Sequence, residues 1–298
     1  MYKSGFVSVV GRPNVGKSTL LNQIVKEKIS ITSNKAQTTR NKITMIYSDD
    51  RGQIAFLDTP GIQSPRNKLG DYMLETSESS MEGVDVILMV VDMSDYLGRK
   101  DKMILREVKK QAEDVPAILV INKVDTVPRD EVLPIIAKFA EMDIFEEIVP
   151  VSALKDENVD HLIDTIFSYL EEGPKYFPDD MVTDQPEKFI ISEIIREKGL
   201  YYLQEEVPHG LAVFVESMRP MEGKDMIEIQ ATIYVEKDSH KGIVIGKGGQ
   251  MLKRIGTEAR REIELFLGSE VNLKLWVKVS KNWREKADKV KSFGYRTD

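Results

Sequence analysis

From Met1 to about Glu172 the hydrophobic pattern keeps changing period. Short apolar, β-branched runs alternate with longer stretches in which apolar residues recur every three or four positions. The runs Phe6–Val10, Lys42–Tyr47, Gln53–Leu57, Val84–Val91, Pro116–Ile121 and Glu147–Val151 predict strands. The stretches Gly16–Val25, Leu97–Gln111, Val132–Glu141 and Val159–Leu170 predict helices. Val86-Ile87-Leu88-Met89-Val90-Val91 has no polar face, as expected of a strand covered on both sides. This alternation predicts a doubly wound α/β domain over 1–172, with ligands at the carboxyl ends of its strands.

The stretch 173–186 is rich in Pro, Asp and Gly and predicts a linker. Beyond it the order of elements changes. A helix runs through Phe189–Ile195, and strands Leu211–Met218 and Met226–Val235 flank a turn at Met221–Asp225. A glycine loop, a helix and a last strand, Asn272–Val279, follow. A smaller α+β domain over 187–298, closed by a basic helix, is the expectation.

Composition narrows the class. The 298 residues suit two domains, and 41% hydrophobic with 31% charged residues is a soluble globular profile. There is no cysteine, so disulfides and thiolate metal sites are excluded. The apolar run Val86–Val91 is far too short to span a bilayer, and Met1-Tyr2-Lys3-Ser4 leads directly into a strand without a signal peptide. A cytoplasmic protein is expected. The net charge of −7 is uneven: Lys237 to Asp298 hold 15 Lys and Arg against 8 Asp and Glu, so this piece carries +7 and the remainder −14. A basic end on an acidic chain suits nucleic acid or another anionic surface.

Four motifs stand in order at strand ends. Gly11-Arg12-Pro13-Asn14-Val15-Gly16-Lys17-Ser18 fits the phosphate-binding G-x-x-x-x-G-K-[ST] loop, between a strand and the helical spacing of Ser18-Thr19-Leu20 to Val25. Lys17 is expected on the β- and γ-phosphates and Ser18 on Mg²⁺. Asp58-Thr59-Pro60-Gly61 has the D-x-x-G form, in which the Asp serves Mg²⁺ and the Gly N–H meets the γ-phosphate. In Asn122-Lys123-Val124-Asp125, the Asp125 carboxylate can accept from both N1–H and N2–H₂ of guanine, a donor pair adenine lacks. Ser152-Ala153-Leu154 would add a backbone N–H to guanine O6. Between the first two motifs, Gln37-Thr38-Thr39-Arg40 offers a Thr to fold over Mg²⁺; Thr39 is favoured and Thr38 is the alternative.

The second half carries Gly246-Lys247-Gly248-Gly249 between an apolar segment and a helix. KH domains clamp four nucleotides of single-stranded nucleic acid with such a G-x-x-G loop, and the element order is that of type II KH domains. The candidate RNA-contacting set is Lys241, Ile245, Gly246, Lys247, Gly248, Gly249, Lys253 and Arg254, with Arg260 and Arg261 near the approach.

The first half resembles the translation-factor-type GTPases, and especially the bacterial group with Gly-x-Pro-Asn-x-Gly-Lys-Ser. Ile62 stands where Ras-like proteins carry a water-orienting Gln, so slow intrinsic hydrolysis is expected. By resemblance, Asn14 helps to bind K⁺. Taken whole, the chain is similar to the Era-like GTPases in the segments Gly11–Leu20, Ala36–Lys42, Asp58–Gly61, Asn122–Asp125 and Ile243–Met251. That resemblance implies GTP/GDP and Mg²⁺ as ligands, and catalytic roles for Asn14, Lys17, Thr39, Asp58 and Gly61. It also implies binding of the 16S rRNA 3′ end, action on the 30S subunit, and peripheral association with the inner face of the membrane. A monomer is expected. An alternative stays open at this point: a membrane-associated signalling GTPase whose basic tail (Lys281, Arg284, Lys286, Lys289, Lys291) meets anionic lipid. Core or surface packing is the favoured role for Trp276 and Trp283; for Trp276, which alternates with Leu275 and Val277 on a strand, a solvent-side or RNA-facing position stays open.

Overall fold

A computed structural model describes residues 1–93 and 98–296. Its first half is built on a six-stranded sheet in the order β2-β3-β1-β4-β5-β6 among the described residues. The strands are β1 (Lys3–Gly11), β2 (Ile43–Asp49), β3 (Gly52–Asp58), β4 (Val86–Asp92), β5 (Ala117–Asn122) and β6 (Glu147–Pro150). Only β2 runs antiparallel, against β3. The period-2 alternation of side chains splits each strand between two cores. Val7, Val9, Leu88, Val90 and Val120 pack with α1 (Lys17–Val25) and α5 (Val159–Tyr169) on one face. Val10, Ile87, Met89, Val91 and Leu119 pack with α3 (Arg99–Gln111) and α4 (Arg129–Ala140) on the other. The expectation that a helix begins at Leu97 falls outside the described residues.

One helix was not foreseen. α2 (Lys68–Ser79) has a sparse apolar pattern, with Leu69 and Met73 four positions apart. Its start is signalled by Asn67, whose Oδ1 accepts from the Gly70 N–H at 2.9 Å. Leu69 and Met73 face not the sheet but a small core with Trp283, Val290 and Tyr295 at the far end of the chain. No local pattern announces that partner.

The expected linker is strapped to the sheet rather than loose. Ser4 Oγ donates to Pro174 O at 2.7 Å, and Gln53 Oε1 accepts the N–H groups of Tyr176 and Phe177 at 3.1 and 2.9 Å. Further on, Ile46 N–H donates to Val182 O at 2.9 Å.

The second half opens with α6 (Glu187–Tyr202) and builds a three-stranded sheet from β7 (Ala212–Pro220), β8 (Met226–Val235) and β9 (Glu270–Val279). β7 and β8 are antiparallel, and β8 and β9 are parallel. A parallel pair needs a crossover, supplied by α7 (Asp238–Ile245), the Gly246–Gly249 loop and α8 (Gln250–Leu267). Helices α6 and α8 cover one face of this sheet, joining Ile194, Ile255 and Ile263 to Ile229, Ala231 and Ile233. A turn at Trp283 and the short α9 (Ala287–Ser292) cap one end of the opposite face. Trp283 is a core residue with 0% exposure, whereas Trp276 stands 44% exposed on β9.

Candidate functional site

The carboxyl ends of β1, β3 and β5 meet at one edge of the first sheet. β1 leads into a tight loop in which Asn14 and Gly16 have φ of 69° and 99°. That winding turns N–H groups inward as an anion nest. α1 opens on Gly16 with no capping side chain, so its first N–H groups and the positive end of its dipole are left for an anion. Val15 is buried in the core and Thr19 lies on the first turn of α1. Lys17 lies across the nest, its Nζ donating to the carbonyls of Gly11 and Arg12 at 3.2 Å each. Burial pushes its ammonium down to about 8, against the pull of Asp58. A phosphate beside it would favour the charged form.

Asp58 ends β3 with no exposed surface. Its Oδ2 accepts from Ser18 Oγ at 2.8 Å and from Ser30 Oγ at 2.6 Å, and Thr39 Oγ1 is 3.0 Å from Ser18 Oγ. Oδ1 is buried and has no partner. Burial pushes this carboxyl up although Lys17, Ser30 and Ser18 all oppose the shift. One orphaned carboxylate oxygen beside two hydroxyls suits a hard cation that keeps several waters, and Mg²⁺ fits. Thr38 is turned away, its hydroxyl donating to Lys35 O at 2.6 Å. Gly61 lies against the phosphate loop: a Cβ there would sit 2.6 Å from Pro13 N. Ile62 points into the core at 1% exposure.

The Asn122–Asp125 and Ser152–Leu154 motifs are braced against each other. Asn122 acts as a strut, with Nδ2 donating to Val15 O and Oδ1 accepting from Ala153 N–H, both at 3.0 Å. Lys123 Nζ donates to Asn14 O at 2.6 Å. Ser152 Oγ donates to Asp125 Oδ1 at 2.6 Å, which fixes the carboxylate plane. The Ala153 N–H is thus engaged within the protein. The Leu154 side chain is 80% exposed.

Sequence reasoning gave no role to the residues that hold 29–42, the segment bearing Thr39. Arg196 on α6 pairs with Glu193 and donates to the carbonyls of Thr38 and, at 3.5 Å, Gln37. Glu197 accepts from Thr32 N–H at 2.9 Å and from Lys28 Nζ at 2.6 Å. Burial pushes the Glu197 carboxyl up, but Lys198, Lys28 and Thr32 outweigh it and hold it below the usual carboxylate range. Lys35 Nζ donates to Leu203 O. Arg40, 1% exposed, reaches Leu211 O at 2.6 Å, His209 O at 2.9 Å and Tyr295 Oη at 3.2 Å. The one local signal is Arg40 itself, a charge next to Thr39 that no sequence neighbour neutralises. A cavity of about 850 Å³ runs from Gly16 and Lys17 past Thr39 to Glu197 and Tyr202.

In the second half, α7 stops at Gly246 and α8 starts after Gly249. Gly248 and Gly249 have positive φ, and nothing lies within 4 Å of where a Cβ would stand. Lys247 and Lys253 are exposed, Lys241 and Ile245 half-buried. Arg254 is partly engaged, with its guanidinium 4.2 Å above the Tyr202 ring. The loop therefore offers bare backbone with cations around it.

Comparison with known proteins covers both halves of the chain. A family model described as 50S ribosome-binding GTPase matches residues 6–123, and a KH domain model matches 206–284. The GTPase Era of Clostridioides difficile (strain 630) is 54% identical over 296 residues, covering 99% of each chain. That of Alkaliphilus metalliredigens (strain QYMF) is 51% identical, again over 99% of each. A variant of Aquifex aeolicus Era bound to GDP·AlF4⁻ superposes with a TM-score of 0.95 at 43% identity, covering 99% of this chain and 100% of that one. Era in complex with MgGDPNP and nucleotides 1506–1542 of 16S ribosomal RNA gives 0.96 at 43% identity over the full length of both. With more than half of the residues identical from end to end to two GTPases Era, and with a GTPase model and a KH domain model matched in one chain, the protein belongs to the Era GTPase family.

Proposed function

We propose that this protein hydrolyses GTP slowly and uses its nucleotide state to govern binding of the 16S rRNA 3′ end during assembly of the 30S subunit. The reading rests above all on the segment 29–42, which touches Ser18 through Thr39 on one side and, on the other, α6 through Thr38 and Thr32 and the residue just after α6, Leu203, through Lys35. A change at the γ-phosphate is thereby felt in the RNA-binding half. In this reading Gly11 to Thr19 cradle the phosphates, Lys17 neutralises charge on the β- and γ-phosphates, and Gly61 offers its N–H to the γ-phosphate. Ser18, Thr39 and Asp58 hold Mg²⁺, which supplies charge stabilisation when bound. Asp125 reads the guanine edge while Asn122 and Lys123 brace the loop. The GTPase unit spans 1–172, the strap 173–186 and the RNA-binding unit 187–298.

Ile62, which follows Gly61, is committed to the core and cannot orient water. Asn14 stands exposed at the rim, its amide 2.7 Å from Asn34 O. We assign it a K⁺ site whose charge assists the leaving phosphate. Turnover should be several-fold faster in KCl than in NaCl at matched ionic strength, and Asn14→Ala should erase the difference. Equal wild-type rates in the two salts would remove the K⁺ role.

The protein acts in the cytoplasm in this reading; no helix among the described residues is long and apolar enough to cross a membrane. The lipid alternative is weaker. An interfacial helix needs a free apolar face. In α9, Val290 is buried with Trp283, and in the turn before it Arg284 is paired with Glu236 at 2.6 Å. Peripheral membrane contact would rest on surface charge alone. Sequencing of RNA cross-linked to the GTP-loaded protein tests the main reading: reads should pile up at the 16S 3′ end, and a flat distribution would sink it.

A further inference from the structure

The outer face of the second sheet carries a feature that the G-x-x-G site does not use. Across β7, β8 and β9, Phe214, Thr232 and Trp276 stand opposite one another in register. Their side chains therefore share one face. Phe214 is 47% and Trp276 44% exposed, while Thr232 between them is 1% exposed. Two large aromatic residues flanking one row on an open sheet are costly to leave in water. Lys278 follows Trp276 on the same face and pairs with Tyr234 in the next row. Beyond that row a groove of about 360 Å³ is walled by Phe214, Tyr234 and Phe293, with Ser280, Ser292 and Lys289 around it.

The charges of this face select its occupant. Lys274 and Arg219 are neutralised by Glu228, at 2.5 and 3.3 Å. Lys278 and Lys289 are exposed and ion-pair with nothing among the described residues; Glu216 is the exposed carboxylate beside Phe214. Aromatic rings interleaved with free lysines suit a single strand of nucleic acid, whose bases stack while its phosphates meet the ammonium groups. An acidic peptide would match the lysines but would leave the rings without a stacking partner. Only the edge strand β9 separates this face from the G-x-x-G side: α7 and α8, which flank that loop, pack on the opposite face of β9, whose outer face bears Trp276.

We propose that the row Phe214–Thr232–Trp276, with Lys278 and Lys289, is a second, sequence-tolerant RNA surface that takes nucleotides emerging past β9 from the G-x-x-G clamp. This rests on the KH-type reading of that loop. The test uses the full chain with GTP and two RNAs, a four-nucleotide segment of the 16S 3′ end and the same segment extended to about twelve. Wild type should bind the longer RNA more tightly. Trp276→Ala and, separately, Lys278→Glu should weaken the longer RNA about tenfold, the scale of losing one base–aromatic stack. Neither should change binding of the four-nucleotide RNA. Both substitutions are at exposed positions, and unchanged four-nucleotide affinity verifies the fold of each variant. If length adds no affinity, or if both variants bind the longer RNA like wild type, the second surface is refuted. If wild type fails to bind even the four-nucleotide RNA, it is the reading of the G-x-x-G loop that falls.

Discussion

Asp125→Asn is expected to weaken GDP and GTP binding by about 10²–10⁴-fold while creating affinity for xanthine nucleotides. The magnitude follows from two charge-assisted hydrogen bonds, each worth about 1.5–3 kcal/mol, to N1–H and N2–H₂ of guanine. The direction follows from Ser152. Its hydroxyl donates to Asp125 Oδ1 at 2.6 Å. An amide at this position keeps its oxygen facing that donor, so Nδ2 takes the place of Oδ2. A donor then meets the base where guanine presents its own amino donors, and where xanthine presents the carbonyl O2. Calorimetric titration with GDP, XDP and ADP measures all three preferences. Wild type binding ADP as well as GDP, or the variant keeping its guanine affinity, would overturn the assignment of Asp125.

The double substitution Lys247→Asp with Gly248→Asp should abolish RNA binding, with a loss of at least about 100-fold at 0.1 M salt. Loss of a phosphate contact weakens binding whatever the sequence, and here like charge replaces the contact. The fold should survive. Gly248 has φ 58° and ψ 25°, a left-handed conformation that Asp tolerates better than most residues. Its Cβ would project into open space, and Lys247 is exposed. GTP affinity should be unchanged in the absence of RNA, because the phosphate nest lies in the other half. Filter binding with labelled 16S 3′-end RNA in the GTP and GDP states measures both the loss and the switch. If GTP strengthens RNA binding by some factor, RNA must strengthen GTP binding over GDP by the same factor. A variant that still binds RNA would take the clamp away from this loop; equal wild-type affinity in both nucleotide states would leave two sites without a switch.

The contacts on residues 29–42 explain how such a switch can be mechanical. Thr39 and Arg40 are neighbours, yet Thr39 faces Ser18 and Arg40 faces Leu211, His209 and Tyr295. α2, which follows Gly61, meets the same C-terminal cluster through Leu69 and Met73, and Tyr72 Oη donates to Asn41 Oδ1 at 2.7 Å. Both segments that border the γ-phosphate position are therefore anchored on residues at the opposite end of the chain.

Local chemistry made much of this legible in advance. All six strands of the first sheet follow from apolar runs, most clearly β4 and β5, since a strand covered on both faces leaves an unbroken hydrophobic record. Met226–Val235 was delimited by its alternation alone. The phosphate nest, Asp58, Asp125 and the Gly246–Gly249 loop are read from neighbours in sequence because each is built within a few residues of backbone. α2 escaped because its apolar positions face Trp283 and Tyr295, more than 200 residues away. The roles of Arg40, Arg196 and Glu197 were invisible for the same reason: although Arg196 and Glu197 also pair with their neighbours Glu193 and Lys198, the bonds that tie these three residues across the two halves join groups more than 150 residues apart. The choice of Thr39 over Thr38 at the Ser18–Asp58 cluster, and the fates of Trp276 and Trp283, were likewise set by long-range packing. A chain encodes motifs through short backbone geometry, whereas the packing of one half against the other is a property of surfaces that exist only after both have folded.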